Sequence, residues 1–184
     1  MVTSTSSSRV AEANPLGRPL PDEYAPYYAT YIKLVPDTGI LMLLRDQLAE
    51  TEALLREFRA DRADHRYAAG KWSVKEVVGH IADSERVFAY RALRFARGDR
   101  TPLPGYEQDD FIRGGNFGAR PLPEIAGELR SVRMATITLF AGLSEEALLR
   151  RGPANNVEFS VRALAWIIAG HERHHATVLR ERYL

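Results

Sequence analysis

No cysteine occurs among the 184 residues, and that absence removes several kinds of chemistry at once. A disulfide scaffold, a Cys-ligated zinc ribbon, an iron–sulfur centre and a protein thiolate nucleophile all need sulfur that the chain does not carry. Long apolar runs are missing too: no stretch approaches the ~18 consecutive apolar residues of a membrane-spanning helix. The opening MVTSTSSSRVAEANPLGRPLP lacks the apolar segment of a secretory signal, so the cytoplasm is the expected address. Net charge is nearly absent, with 25 basic against 24 acidic groups, so no long-range field draws the chain to nucleic acid. Neither nucleic acid nor membrane is an expected partner. What is present is 45% hydrophobic residues in a length suited to one domain. Such a domain buries roughly 70% of the surface its unfolded chain exposes.

Residues 1–23, rich at first in Ser, Thr, Pro and Gly, read as a flexible tail, and residues 24–184 as the domain. Tyr24, Tyr27, Tyr28 and Tyr31 cluster too densely for a linker, so this N-terminal arm is expected to pack on the body. Four segments then carry helical periodicity. The first runs from about Asp37 to Ala60, with Leu44, Leu48, Thr51, Leu55 and Phe58 on one stripe. The second opens on the capping box Ser73-Val-Lys-Glu76 and stops at Gly98. The third begins near Pro123 and ends at Gly142. The fourth is capped by Ser160 and runs almost to the C-terminus. Ser144 to Arg150 adds a turn or two. Residues 99–121 and 151–159 read as long connections, with no alternating strand pattern. An all-α four-helix bundle is the expected fold, with any cofactor held by side chains on facing helices.

Five histidines occur, and His171, His174 and His175 fall in the final helical segment. At about 100° per residue, His175 lies about 40° from His171, with Leu164 and Ile168 on the same stripe. Two imidazoles at i and i+4 on an apolar face are spaced to hold one metal. Without a metal, each ring nitrogen there would need a polar partner that an aliphatic stripe does not offer. His174 sits at the stripe's edge. Residues 171–175 also read as H-E-x-x-H with Glu172 as a would-be base. The protease reading is set aside, because only nine residues follow His175 and no strand pattern offers a sheet for peptide. A third ligand must come from upstream, and His80 is the candidate. The second helix's stripe (Val77, Ile81, Phe88) centres 60–100° away from it by about 100° per residue, which leaves His80 on the flank with Ser84. Spacing alone leaves ligand and core histidine open at that position. His65 reads as solvated, and Trp72 and Trp166 as core. Glu85, Asp83 and Glu172 are carboxylates that could orient a ligand histidine or help at the site, against the plain reading of a solvated helix face.

The strings HRYAAGKWSVKEVVGHIADSERVFAYRALRFARGD, LPGYEQDDF and RALAWIIAGHERHHATVLRERYL together resemble the DinB-like (YfiT-like) metalloprotein superfamily, over about residues 24–184. The resemblance implies an up-down-down-up four-helix bundle with one divalent metal on three histidines. Motif by motif these are His80, His171 and His175, with His174 beside the site. It also implies reactions that use low-molecular-weight thiols such as bacillithiol, mycothiol or glutathione, and a habit of homodimerisation. Three neutral imidazoles leave a tetrahedral metal one open position. Zn²⁺ and Ni²⁺ suit imidazole equally well. The leading expectation is therefore a metal-dependent S-transferase on a small-molecule substrate, its sulfur supplied by a thiol cosubstrate. Arg91, Arg94, Arg97 and Arg113 are candidates to hold the thiol's carboxylates. A metal-dependent hydrolase and a non-catalytic metal-binding bundle of the stress response are the alternatives.

Overall fold

The structure, a computed structural model, describes residues 16–184. The described part of the chain opens with an arm that holds two 3-10 turns (Pro21–Glu23 and Pro26–Tyr28) and a single α-helical turn, α1 (Ala29–Ile32). Four long helices follow: α2 (Ile40–Glu57), α3 (Val74–Ala96), α5 (Leu122–Ala141) and α7 (Val161–Arg182). The short helices α4 (Gln108–Gly114) and α6 (Glu145–Leu149) lie in the connections. Helix starts follow the local chemistry. The Ser73 hydroxyl accepts from the Glu76 N–H, and the Glu76 carboxylate takes the Ser73 N–H at 2.6 Å. Ser144 and Ser160 cap α6 and α7 in the same way, each by accepting a backbone N–H three residues on.

Side-chain pairs fix the direction of each helix. Along α2 and α7, Gln47 meets Ala169, Thr51 meets Glu172 and Arg62 meets Tyr183, so these two run parallel. Trp72 meets Tyr183 and His80 meets His171, so α3 opposes α7. Lys75 meets Gly118 and Glu85 meets Arg133, so α3 and α5 run the same way. The result is the up-down-down-up order. Each of α2 and α3 packs chiefly against α5 and α7, so α2 stands diagonally across the bundle from α3, and α5 from α7.

The interior has three levels. One apolar cluster gathers Ile40, Leu44, Phe95, Phe140, Phe159 and Trp166; another gathers Leu54, Val78, Ile81, Ile125, Leu129 and Leu179. Between them all four helices contribute buried polar groups: Gln47 and Thr51, then His80, Ser84 and Glu85, then Arg133 and Thr136, then His171 and Glu172. Both faces of this belt are closed by hydrocarbon, so its members turn to one another for partners, and Gln47 Oε1 and Thr136 Oγ1 alone of its buried side-chain polar atoms are left without one.

Three features differ from expectation. Residues 151–159 are not a plain loop: Arg151–Ala154 (β1) pairs antiparallel with Val157–Ser160 (β2) around Asn155 and Asn156, both at positive φ (50° and 60°). Two positive-φ residues make the tight turn whose twist suits a hairpin, and Asn tolerates that region. The segment 99–121 contains α4. Residues 16–23, read as tail, are packed: Leu16 is buried with its carbonyl accepting from Trp166 Nε1 at 2.9 Å, and Glu23 accepts from Ser160 and Arg162. The rest of the expected tail, residues 1–15, lies outside the described residues. No helix among the described residues is long and apolar enough to cross a membrane.

Candidate metal centre

His80 projects from α3 and His171 and His175 from α7, at the level where these two helices face each other. Their Nε2 atoms converge: His80 to His171 is 3.0 Å and His175 to His171 is 3.1 Å. The three potential ligand atoms all lie within 4.8 Å of one another. Two imidazole nitrogens sharing a tetrahedral zinc at the usual bond length stand about 3.3 Å apart. The alternative, hydrogen bonding among the rings, cannot satisfy the trio. The Nε2 of His171 faces both neighbours yet carries one proton or one lone pair, never both. The donor set therefore fits a single cation.

The surroundings hold the rings neutral and in place. Burial lowers the His80 pKa to about 4, with Asp109 opposing weakly. Burial and then the neighbouring imidazoles lower His175 to about 3 and drive His171 well below its ordinary value. Neutral imidazole is the form that coordinates a metal. The Ser84 hydroxyl lies 3.4 Å from His80 Nδ1 and 2.8 Å from the Tyr106 hydroxyl, so a hydroxyl chain orients the ring from behind. Tyr31 from the arm sets its edge against His171 and His174, and Trp72 lies 4.7 Å from His80, ring to ring.

Glycines precede two of the three histidines. A Cβ at Gly79 would come 2.2 Å from the Phe117 ring, and one at Gly170 2.2 Å from the Tyr31 carbonyl oxygen. Missing side chains at these positions let Phe117 and the arm close directly onto the helices that carry His80 and His171. Two clefts open beside the centre. One, of about 350 Å³, is walled by Trp72, Asp109, His174 and His175; the other, of about 240 Å³, is floored by His80 and His171 under Tyr28, Tyr31 and Arg91.

Several residues stand elsewhere than expected. Glu85 and Glu172, the expected helpers, turn away from the histidines into the belt. Arg133 takes both Glu85 oxygens at 2.9 and 2.7 Å and a Glu172 oxygen at 2.8 Å, and Thr51 and Gln47 also bond Glu172. Asp83 pairs with Arg86. Of the four arginines, only Arg91 lines a cleft at the centre. Arg94 pairs with Asp99 and Arg113 with Asp110, while Arg97 is exposed. Trp72 is a wall of the site rather than core, and His65 is half-buried with its edge toward Tyr183. Ser84, Tyr31 and Tyr106 were not singled out as site residues. Only the flank position that Ser84 shares with His80 hinted at its part.

The sequence pattern of the DinB superfamily matches residues 43–179, spanning most of the bundle and both helices of the centre. The chain belongs to the DinB superfamily. A Bacillus pumilus relative, named as a proposed metal-dependent hydrolase, is 27% identical over 143 residues, covering 74% of this chain and 81% of its own. An Oceanobacillus iheyensis relative with the same kind of name is 27% identical over 132 residues, covering 71% and 73%. Among solved structures, YfiT from Bacillus subtilis superposes with a TM-score of 0.70 at 17% identity, over 77% of this chain and 82% of that one. It is described as having an unusual four-helix bundle topology. A mycothiol-dependent maleylpyruvate isomerase superposes with a TM-score of 0.65 at 13% identity, over 79% of this chain and 61% of that one. At these identities the two superpositions establish the DinB fold and leave the reaction to the site.

Proposed function

We propose that His80, His171 and His175 hold one divalent cation, Zn²⁺ or Ni²⁺, and that this DinB protein uses it on a small organic substrate with a low-molecular-weight thiol as cosubstrate. The observation that carries the reading is the convergence of three Nε2 atoms, from two buried histidines and the half-buried His175, between two open clefts, with no carboxylate or sulfur of the described residues joining them. When bound, the cation supplies a Lewis acid that favours the deprotonated form of a thiol or water placed beside it. The chain's part is to present three lone pairs, to fix the His80 ring through Ser84 and Tyr106, and to keep bulk water out with Tyr31 and Trp72. The absence of cysteine supports an external thiol, as does the mycothiol dependence of the isomerase neighbour.

A second reading, metal-dependent hydrolysis, is favoured by the names of the Bacillus pumilus and Oceanobacillus iheyensis relatives and of YfiT. One experiment separates the two. The purified protein and a His80→Ala variant are analysed for bound metal, and the loaded protein is then given electrophiles with and without bacillithiol, and esters and amides without thiol. The expected result is about one metal per chain, lost in the variant, and conjugation faster than the thiol's own background rate. Turnover of esters or amides with no thiol present would replace the transferase reading by the hydrolase one. Full metal retention in His80→Ala would remove the centre as drawn.

A further inference from the structure

We infer that the cleft floored by His80 and His171 binds a small organic acid, with Arg91 holding its carboxylate. This deepens the functional reading above by naming the substrate class of the same site, and it rests on that reading only for what happens after binding. Three cationic side chains are buried among the described residues: Lys75, Arg91 and Arg133. Lys75 has Asp64 at 2.9 Å, and Arg133 has Glu85 and Glu172. Arg91, only 3% exposed, has no carboxylate within ion-pair distance among the described residues. Its Nη2 donates to the Pro104 carbonyl at 2.9 Å, its guanidinium lies 5.9 Å from the Phe88 ring centre, and the Tyr28 and Tyr106 hydroxyls stand beside it.

A buried guanidinium cannot shed its proton to escape the cost of burial, and carbonyl and phenol oxygens offset that cost only in part. The neighbouring pairs show how this bundle otherwise treats a buried cation. The missing anion therefore has to arrive from outside, and the cleft that Arg91 lines is the way in. The planar fork of the guanidinium matches a carboxylate in two parallel hydrogen bonds. At about 240 Å³ the space lies below the ~300–1,000 Å³ of drug-sized sites, which restricts the ligand to a small molecule. The rings of Tyr27, Tyr28, Tyr31 and Phe88 give a mostly polar cleft flat walls, suited to an aromatic or unsaturated body. Glu107 stands at the exposed rim and makes no pair with Arg91. An acid anchored on Arg91 shares its cleft with the His80 and His171 rings.

The test uses benzoate and its neutral isostere benzamide, titrated by calorimetry into zinc-loaded and chelator-treated protein. Benzoate should bind at least tenfold more tightly than benzamide in both forms. In Arg91→Gln the ratio should fall to within twofold while the zinc content per chain stays unchanged, and Arg91→Lys should retain an intermediate preference. Should Arg91→Gln fail to fold, the wild-type protein still decides: the Arg91 Nε–Hε signal in a ¹H–¹⁵N spectrum should move with benzoate and not with benzamide. Equal binding of the two probes, a preference kept by Arg91→Gln, or a preference seen only with zinc present would each overturn the assignment. A benzoate preference in wild-type protein that fails to take up zinc when zinc is supplied would leave this inference standing and remove the metal reading.

Discussion

Replacing Arg133 by Met is the sharpest perturbation of the bundle's interior. The guanidinium is fully buried between Glu85 and Glu172, themselves 2% and 1% exposed, and it also donates to the Leu44 carbonyl at 2.9 Å. Methionine fills much of the same volume but leaves two carboxylates in apolar surroundings. Glu172 keeps Thr51 and Gln47, whereas Glu85 is left with no hydrogen-bond partner among the described residues. Breaking a buried pair by removing one member costs about 3–5 kcal/mol. For a chain of this size each kcal/mol moves Tm by roughly 2–4 °C, so Arg133→Met should melt roughly 6–20 °C below wild type. The deficit should also depend on pH with a definite sign. The folded variant gains from protonating a carboxylate that the unfolded chain leaves ionised at pH 7, so its stability should rise relative to wild type as pH falls from 7 towards 5. Calorimetric melts across that range read both effects. Adding Glu85→Leu should recover part of the loss, because the stranded charge goes with it. A single-variant cost below about 1 kcal/mol, or a deficit that grows on acidification, would refute the account of the belt as a closed set of charges.

Other consequences can be measured with the same protein. Ser84→Ala removes the hydroxyl behind His80 Nδ1 and should weaken zinc about tenfold, by competition with a chelating dye, with little change in Tm of the metal-free protein. Acid should strip the centre. With His80 held at about 4 and His175 at about 3, the unfolded chain takes up protons below pH ~6.5 that the folded chain refuses. Metal-free stability should then fall as pH drops from about 6.5 to about 4, by up to about 1.4 kcal/mol per pH unit for each histidine, and bound metal should be lost over the same window. Gly170→Ala drives a methyl group onto the Tyr31 carbonyl and should cost about 1–3 kcal/mol while exposing the arm to limited proteolysis.

The helices were legible in the sequence because two signals agree there: a 3.6-residue apolar period and a hydroxyl cap at Ser73 and Ser160. His171 and His175 could be paired for the same reason, since i and i+4 on one helix are neighbours whatever the tertiary structure. His80 could not be settled by spacing, because its position makes sense only once the belt is seen. The stripe of α3 is apolar above and below but polar at this level, so a flank histidine is in fact interior. The set formed by Arg133, Glu85 and Glu172 was illegible, since Glu85 and Glu172 read as helpers of the site or solvated charges and Arg133 belongs to no motif. The clue was Arg133 itself, one turn from Leu129 and three residues from Thr136 on the inner face of α5. The hairpin at 151–160 was missed because four-residue strands carry too few alternations to register, and its Asn-Asn turn was the surviving trace.

The polar belt also limits how the rods can slide. Purely aliphatic helices can shift past each other by one turn, about 5.4 Å, and still find a comparable fit. Here such a slip of α5 would carry the Arg133 guanidinium to the level of Ile137 or of Leu129, and of α7 would tear His171 and His175 away from His80. The charges and imidazoles thus act as a vernier, indexing all four rods at a single height and leaving the greasy segments on either side free to vary.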